Sequence, residues 1–223
     1  APPPPPPSPP PRPPDPPHPP LPALPIGWHQ ACCQDFRMLW TPFKFTGTSL
    51  DRTRCGKYGT ILGGYNKLGK DDWVQASCDV PFTHTWVRVQ AEVIKIDSWD
   101  SGETARMHVD GTLGWTGFQD YSVPDTTTNE CGNPAYSGGR WANEYMWTID
   151  TVEPHTRNVV DVKFNSTLDT APTDESWGLR SVCVTYYAAE REDSGCLLTH
   201  ETATCKSDIC LLYTSDAADE EDS

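Results

Sequence analysis

The sequence predicts an all-β protein whose folded part is a disulfide-containing two-sheet β-sandwich. Between Gly27 and Tyr187, apolar and polar residues alternate with a period of two in several segments, as they do in half-buried strands. Gly, Pro, Asn and Thr interrupt the chain at short intervals, and no long segment carries an apolar stripe of helical period. About 160 residues are enough for a single core of this kind.

The longest alternating segment covers residues 86–93, where three valines and Ala91 share one face. Its alternation shifts phase at Val93-Ile94, because Ile94 and Ile96 continue the apolar character on the other face. A β-bulge would produce such a shift, and so would burial of both faces of the strand.

Three further segments complete the strand prediction. Residues 105–109 alternate, and Asp110-Gly111 then supplies a hairpin turn before a second strand at Leu113 and Trp115. Residues 160–164 and 182–186 alternate in the same way. The sequence therefore predicts a β-domain over residues 27–187.

Residues 1–26 form a separate, proline-rich segment. They contain 17 of the 23 prolines and almost no side chains able to build a core. We expect a polyproline II rod of about 75 Å, which serves as a stiff linker in one interpretation. In the other it is modified, because proline runs broken by single serines resemble the hydroxyproline-rich glycoproteins of algal and plant cell walls.

That resemblance implies prolyl hydroxylation followed by O-linked glycans. The prolines it implicates are Pro2, Pro3, Pro4, Pro5, Pro6, Pro7, Pro9, Pro10, Pro11, Pro13 and Pro14.

The C-terminal end consists of two segments that we interpret separately. Residues 210–223 resemble the translation of a sequencing-library adapter, and we exclude them from the fold prediction; the alternative is a natural acidic tail. Residues 188–209 are polar and contain two cysteines. They are interpreted either as a truncated cysteine-containing tail or as the start of another module.

The proline-rich segment and the cysteine content indicate an extracellular, secreted, wall or surface location, and the charge indicates the kind of partner. The net charge is −14, and without the five acidic residues of the tail it becomes −9. Such acidity disfavours nucleic acid and anionic membranes as partners and favours cations. The chain also lacks an apolar run of about 18 residues that could span a membrane.

Outside the adapter-like tail, the number of cysteines is even, which suits disulfides in an oxidising compartment. The sequence leaves their pairing open. The candidates are Cys32, Cys33, Cys55, Cys78, Cys131, Cys183, Cys196 and Cys205.

Two acidic segments at strand ends predict a calcium site. Asp97, Asp100 and Glu103 are spaced three residues apart in a predicted loop, and Asp174-Glu175 precedes the last strand. Hard divalent cations bind carboxylate and carbonyl oxygens, which irregular backbone can bring together. The alternative is that both segments are ordinary solvated turns.

The same segments carry a resemblance to a known family. Residues 95–103 (KIDSWDSGE) and 174–179 (DESWGL), with Val109-Asp110-Gly111 between them, are similar to lectin-like β-sandwich modules of protist surface proteins and some bacterial secreted proteins. The resemblance implies a jelly-roll-like sandwich in which Asp97, Asp100 and Glu103 occupy the acidic motif. We expect Trp99 and Trp177 to be core residues rather than sugar-binding surfaces.

Asn165-Ser166-Thr167 is an N-glycosylation sequon that follows a predicted strand, with occupancy left open. The six histidines are scattered, and the sequence contains no H-E-x-x-H, G-x-S-x-G, Walker or dinucleotide motif. The sequence therefore predicts that the protein is not an enzyme.

Two functions remain as hypotheses. In the first, the protein is a structural subunit of an extracellular matrix, cell wall or surface fibre, and its partners are glycans and other copies of itself. In the second, the sandwich is a calcium-dependent carbohydrate-binding adhesion module held away from a surface by the rod. The acidic loops and nine tryptophans support the second hypothesis, but the visible stalk makes the first the preferred prediction, with the second as its alternative.

Overall fold

The computed structural model describes residues 27–38, 43–81, 83–118, 129–136 and 144–188, which are all strand, turn, loop or short 3-10 helix. The strands are β1 (Trp28–Asp35), β2 (Lys44–Gly47), β3 (Arg52–Cys55), β4 (Gly59–Gly63), β5 (Trp73–Asp79), β6 (Trp86–Asp97), β7 (Thr104–Val109), β8 (Thr112–Phe118), β9 (Tyr145–Pro154), β10 (Val159–Ser166) and β11 (Glu175–Tyr187). Two 3-10 turns span Gly56–Tyr58 and Pro134–Tyr136. The predicted all-β class is confirmed; the polyproline and C-terminal predictions lie outside the described residues.

The strands form two antiparallel sheets. Sheet 1 has the order β3-β4-β11-β6-β9, with β1 also paired to β11, and sheet 2 has the order β2-β5-β10-β7-β8. The eight strands from β4 to β11 are divided between the sheets, in the order β4-β11-β6-β9 in sheet 1 and β5-β10-β7-β8 in sheet 2. This is the strand order of a jelly roll. The predicted two-sheet, jelly-roll-like sandwich is therefore confirmed.

The core lies between the sheets and uses the faces that the alternation predicts. Val87 and Val89 of β6 face inward from sheet 1, while Val160, Val162 and Phe164 of β10 face inward from sheet 2, and all five are buried. Burying such side chains contributes about 1.5–3 kcal/mol each to folding.

The phase shift in β6 has two sources. Val93 belongs to the main core, but Ile94 and Ile96 face the other way and are buried in a second apolar cluster with Cys55 and Ile61. Both faces of β6 are thus covered from Val93 onward. A bulge is also present, but it lies in β11, where Arg180 is the extra residue opposite Glu92 and Val93.

The Asp110-Gly111 turn joins β7 to β8 as predicted. Asp110 has φ 50° and Gly111 has φ 85°, the pair of positive values that a two-residue type I′ hairpin requires. This turn lies at the end of the sandwich opposite to the acidic loop of residues 98–103.

Three disulfides connect the described cysteines. Cys32–Cys78 joins β1 of sheet 1 to β5 of sheet 2, Cys33–Cys183 links β1 to β11, and Cys55–Cys131 fastens the loop before β9 to β3. They close loops of 46, 150 and 76 residues, so they restrict the unfolded chain strongly. The predicted disulfide-containing fold is confirmed, while Cys196 and Cys205 lie outside the described residues.

Candidate functional site

One end of the sandwich gathers the ends of four strands. Antiparallel neighbours run in opposite directions, so the end of one strand lies beside the start of the next. Glu175 at the start of β11 pairs with Asp97 at the end of β6, and Ser166 at the end of β10 pairs with Ala105 near the start of β7. The loops that leave these strands therefore converge on one another.

Three carboxylates meet at this end. Glu103, Asp169 and Glu175, which we call the acidic triad, each place a carboxylate oxygen within 4.8 Å of the others. Glu103 and Glu175 are buried, whereas Asp169 is exposed. The triad is thus an acidic cluster that opens to solvent on the Asp169 side.

Backbone and hydroxyl donors orient the triad. Glu103 Oε1 accepts the N–H of Asp169 at 3.2 Å, and Glu103 Oε2 accepts the N–H of Asp100. The hydroxyl of Thr170 donates to Glu175 Oε2 at 2.7 Å. These bonds attach the loop after β10 and the loop between β6 and β7 to the same pair of buried glutamates.

The electrostatics of the triad suit a cation. The pKa of Glu175 is raised to about 7, chiefly by burial and also by the nearby charge of Glu103, while the Thr170 hydrogen bond opposes the rise. Burial likewise raises the pKa of Glu103. Two neighbouring buried carboxylates are destabilised in their charged forms, and a bound cation would remove that cost. Carboxylate oxygens, which all three members of the triad supply, are a donor type that Ca²⁺ prefers.

The structure brings together only some of the predicted calcium ligands. Glu103 and Glu175 lie in the triad, and Asp100 is exposed in the loop next to it. Asp97 and Asp174 lie outside the triad. Asp169 is not among the ligands that the sequence predicts, because it is a single acidic residue between Leu168 and Thr170. The pairing of β10 with β7 is the relationship that places Asp169 beside Glu103.

Asp97 instead holds the loop that precedes β9. Its side chain is fully buried, and both carboxylate oxygens accept the N–H of Asn133, at 2.9 and 2.8 Å. Glu144, also fully buried, accepts the N–H groups of Cys131 and Gly132 at 3.2 and 3.1 Å. Burial raises the pKa of Asp97 to about 7 and raises that of Glu144. This carboxylate pair therefore fixes residues 131–133.

Aromatic side chains line the open edge of the sandwich near the same end. Strands β8 and β9 are the edges of the two sheets, and Trp115 of β8 meets Trp147 of β9 with ring centroids 5.8 Å apart. Tyr145 contacts Trp147 at 5.5 Å and is 38% exposed. We call Trp115, Tyr145 and Trp147 the aromatic edge.

Trp99 connects the acidic loop to the aromatic edge. It lies in the loop between Asp97 and Glu103, its ring centroid is 5.6 Å from that of Trp147, and its Nε1–H donates to the carbonyl oxygen of Ser176 at 3.0 Å. Trp99 is fully buried and Trp177 is 1% exposed, so both are core residues as expected. A shift of the acidic loop would therefore move Trp99, which packs against Trp147.

The sequon residue Asn165 lies within β10 rather than after it. Its side chain is half-buried on the outer face of sheet 2. N-glycosylation at Asn165 stays a prediction. The proline modification sites lie outside the described residues.

Within the ranges that the structure describes, no helix is long and apolar enough to cross a membrane. No protein-family model matches the chain. No curated protein matches it either.

Comparison with solved structures finds carbohydrate-binding modules and larger proteins among the matches. The exo-β-1,3-galactanase of Phanerochaete chrysosporium, solved with β-1,3-galactotriose, is 14% identical with a TM-score of 0.36 over 70% of this chain. The C-terminal CBM6 module of LamC, a marine laminarinase of Zobellia galactanivorans, is 11% identical with a TM-score of 0.38 over 71%. A CBM36 carbohydrate-binding module in complex with calcium and xylotriose is 10% identical with a TM-score of 0.35 over 68%.

The chain spans 29% of the galactanase and 98% of each of the two modules. With TM-scores below 0.5, these similarities carry no argument about the ligand of this protein. The function has to be inferred from its own residues.

Proposed function

We propose that the domain is an extracellular, non-enzymatic carbohydrate-binding module that uses the aromatic edge as its binding surface and requires Ca²⁺ at the acidic triad. One observation carries the proposal. Trp99 belongs to the loop that ends in Glu103, and it packs against Trp147 of the aromatic edge. An ion that fixes Glu103 would therefore also fix the support of the aromatic surface.

The aromatic edge offers the surface that a sugar needs. Tyr and Trp have a flat apolar ring for the C–H face of a pyranose and a polar group for its hydroxyls. Tyr145 is exposed at the rim, and Trp115 and Trp147 are half-buried beneath it. The T-shaped contacts of Trp147 with Trp115 and with Tyr145 hold the three rings in fixed orientations, which lowers the entropy lost on binding.

Bound Ca²⁺ would supply positive charge among three carboxylates. Glu103, Asp169 and Glu175 would be its ligands from this chain. Through these three ligands the ion would join the loop of residues 98–103, the loop after β10 and the start of β11 at one point. The aromatic edge then keeps its arrangement because Trp99 is held between Ser176 and Trp147.

Three disulfides within the described residues support the extracellular setting, because disulfides form and persist in oxidising compartments. The function preferred from the sequence, a structural subunit of a matrix or fibre, depends on the polyproline segment, which lies outside the described residues. It stays a prediction, and electron microscopy of the native secreted material tests it, since ordered filaments are expected only for a structural subunit.

The first experiment is a screen of the secreted protein against immobilised neutral polysaccharides, in calcium and in EGTA. We expect retention on at least one polysaccharide in calcium and its loss in EGTA. No retention on a broad panel in calcium would overturn the proposed function. Retention that is unchanged in EGTA would overturn the role of the triad.

A further inference from the structure

The outer face of sheet 2 carries a second group of side chains suited to a ligand. Strand alternation turns Val160, Val162 and Phe164 inward, and it turns the residues between them outward. Five half-buried residues on this outer face form a group that we call the basic face. They are Trp73, Arg106, His108, Lys163 and Asn165.

The strand register places these residues side by side. Asn165 of β10 is directly opposite Trp73 of β5 on one side and Arg106 of β7 on the other. Lys163, two residues earlier on the same face, is opposite His108 of β7. Directly opposed residues in an antiparallel pair are about 5 Å apart, so the basic face is one continuous surface across three strands.

The two strong cations of this face have no carboxylate partner within the described part of the chain. Lys163 Nζ lies 4.8 Å from the centre of the Trp73 ring. Among the residues that the structure describes, neither Lys163 nor Arg106 forms a salt bridge. Arg106 Nε is buried and donates no hydrogen bond, and Asn165 Oδ1 is buried and accepts none. Hydrogen-bonding capacity is therefore left unused in the middle of the face.

Local charge here is opposite to that of the whole chain. The protein has a net charge of −14, yet Arg106 and Lys163 are near neighbours on adjacent strands. Asp161, two residues before Lys163 on the same face, has a carboxylate that accepts a hydrogen bond from the Ser77 hydroxyl at 2.5 Å. An anion is thus attracted to the Arg106 and Lys163 end of the face and repelled elsewhere.

We infer that the basic face binds the anionic group of an acidic saccharide, with Arg106 and Lys163 contacting the anion and Trp73 stacking against the sugar ring. Charge-assisted hydrogen bonds are the strong ones, and a guanidinium presents paired donors to carboxylate or sulfate oxygens. The inference rests on the proposed function only in taking the ligand to be a saccharide. It uses none of the residues of the aromatic edge or the acidic triad.

The position of Asn165 gives a strict condition. An N-linked glycan on Asn165 would start between Trp73 and Arg106 and cover the face. The inference therefore requires an unmodified Asn165 in the native protein. Peptide mass spectrometry of the secreted material should recover residues 164–180 without a glycan, and full occupancy of Asn165 would overturn the inference.

Affinity electrophoresis of the full chain distinguishes the source of the anion. The probes are hyaluronate, which carries carboxylates only, dextran sulfate, which carries sulfates only, and neutral dextran. We expect retardation by at least one charged polymer and not by dextran. The pair of substitutions Arg106→Gln and Lys163→Gln should weaken it about tenfold or more.

A control that removes two positive charges is available away from the basic face. Arg88 pairs with Asp150 on the outer face of sheet 1, and Lys67 pairs with Asp51. The double variant Arg88→Gln and Lys67→Gln therefore removes two positive charges without touching the basic face. It should leave retardation unchanged, and an equal loss in this variant would show general charge attraction and overturn the inference. So would the absence of retardation by both charged polymers, or equal retardation of the wild type and the double variant.

Failure of this inference is separable from failure of the proposed function. Tyr145→Ala should weaken retention on neutral polysaccharides by about tenfold or more and leave retardation by the charged polymers intact. Loss of charged-polymer binding in Tyr145→Ala would contradict a separate basic face.

Discussion

The indoles of Trp99 and Trp147 lie with their ring centroids 5.6 Å apart, and this contact joins the acidic loop to the edge of the sandwich. Trp99 is fixed from one side by the Ser176 carbonyl and from the other by Trp147. A change in the loop that carries Glu103 must therefore reach Trp147 and the rings beside it. The predictions below follow from this connection.

Chelation should destabilise the domain through the acidic triad. An ion present at about 100 times its Kd stabilises a folded protein by about 2.7 kcal/mol, so EGTA should lower the Tm by several degrees. Glu175→Gln should remove the difference between calcium and EGTA in a thermal melt. Asp150→Asn, on the outer face of sheet 1, should keep the difference. A Tm that is the same in calcium and EGTA for the wild type contradicts the calcium site.

Tyr145→Ala should weaken glycan retention by about tenfold or more while leaving the Tm nearly unchanged, because the ring is 38% exposed. Trp86 is a matched control, since it is 42% exposed and lies at the opposite end of β6 from the acidic loop. Trp86→Ala should retain binding. Equal losses in the two variants, measured by retention on the same polysaccharide, would exclude the aromatic edge as the specific surface.

Gly117→Ala should disturb the aromatic edge directly. A Cβ at this position would lie 2.2 Å from an atom of the Trp115 indole and 2.9 Å from one of Trp147, so both rings would have to move. Overpacking of this kind costs about 1–3 kcal/mol. Gly114→Ala in the same strand is the control, because its Cβ meets atoms no closer than 3.6 Å. Thermal melts should separate the two variants, and equal Tm values would show that the rings are not held as described.

In the absence of calcium, the domain should be more stable at pH 5 than at pH 8. Burial raises the pKa of both Asp97 and Glu175 to about 7, above their ordinary values. A group whose pKa is raised in the folded state contributes stability that is fully present below its ordinary pKa and is lost as the pH rises through 7.

Thermal melts in EGTA between pH 5 and pH 8 measure this dependence. Asp97→Asn should reduce the dependence and leave the part that Glu175 contributes, because an amide cannot ionise. Asparagine still accepts the Asn133 N–H and suits the left-handed backbone at φ 63°. A Tm in EGTA that rises steadily from pH 5 to pH 8 would show that these carboxylates are not destabilised by burial.

The sequence was enough to predict the fold because the period-two pattern directly reflects the two faces of a strand. The alternation of residues 86–93 and 160–164 identified inward faces, and Asp110-Gly111 identified a hairpin. The burial of Ile94 and Ile96 was less predictable. It depends on a second cluster with Cys55 and Ile61, which are distant in the chain.

The candidate site was only partly predictable, because it too depends on contacts between residues that are distant in the chain. Glu103 and Glu175 stood out because they lie in acidic segments, whereas Asp169 acquires its position from the pairing of β10 with β7. Asp97 belongs to the same three-residue spacing of acidic residues as Glu103, but its carboxylate accepts the backbone N–H of Asn133. The partner of a carboxylate in a loop depends on long-range contacts that local sequence does not record.

The most direct test of the central claim is calorimetric titration of the secreted protein with a retained neutral polysaccharide, in calcium and in EGTA, at a temperature where both forms are folded. The account predicts that affinity falls about tenfold or more in EGTA, because the Trp99 support of the aromatic edge is lost with the ion. Equal affinity in the two buffers, with the domain folded in both, would contradict it.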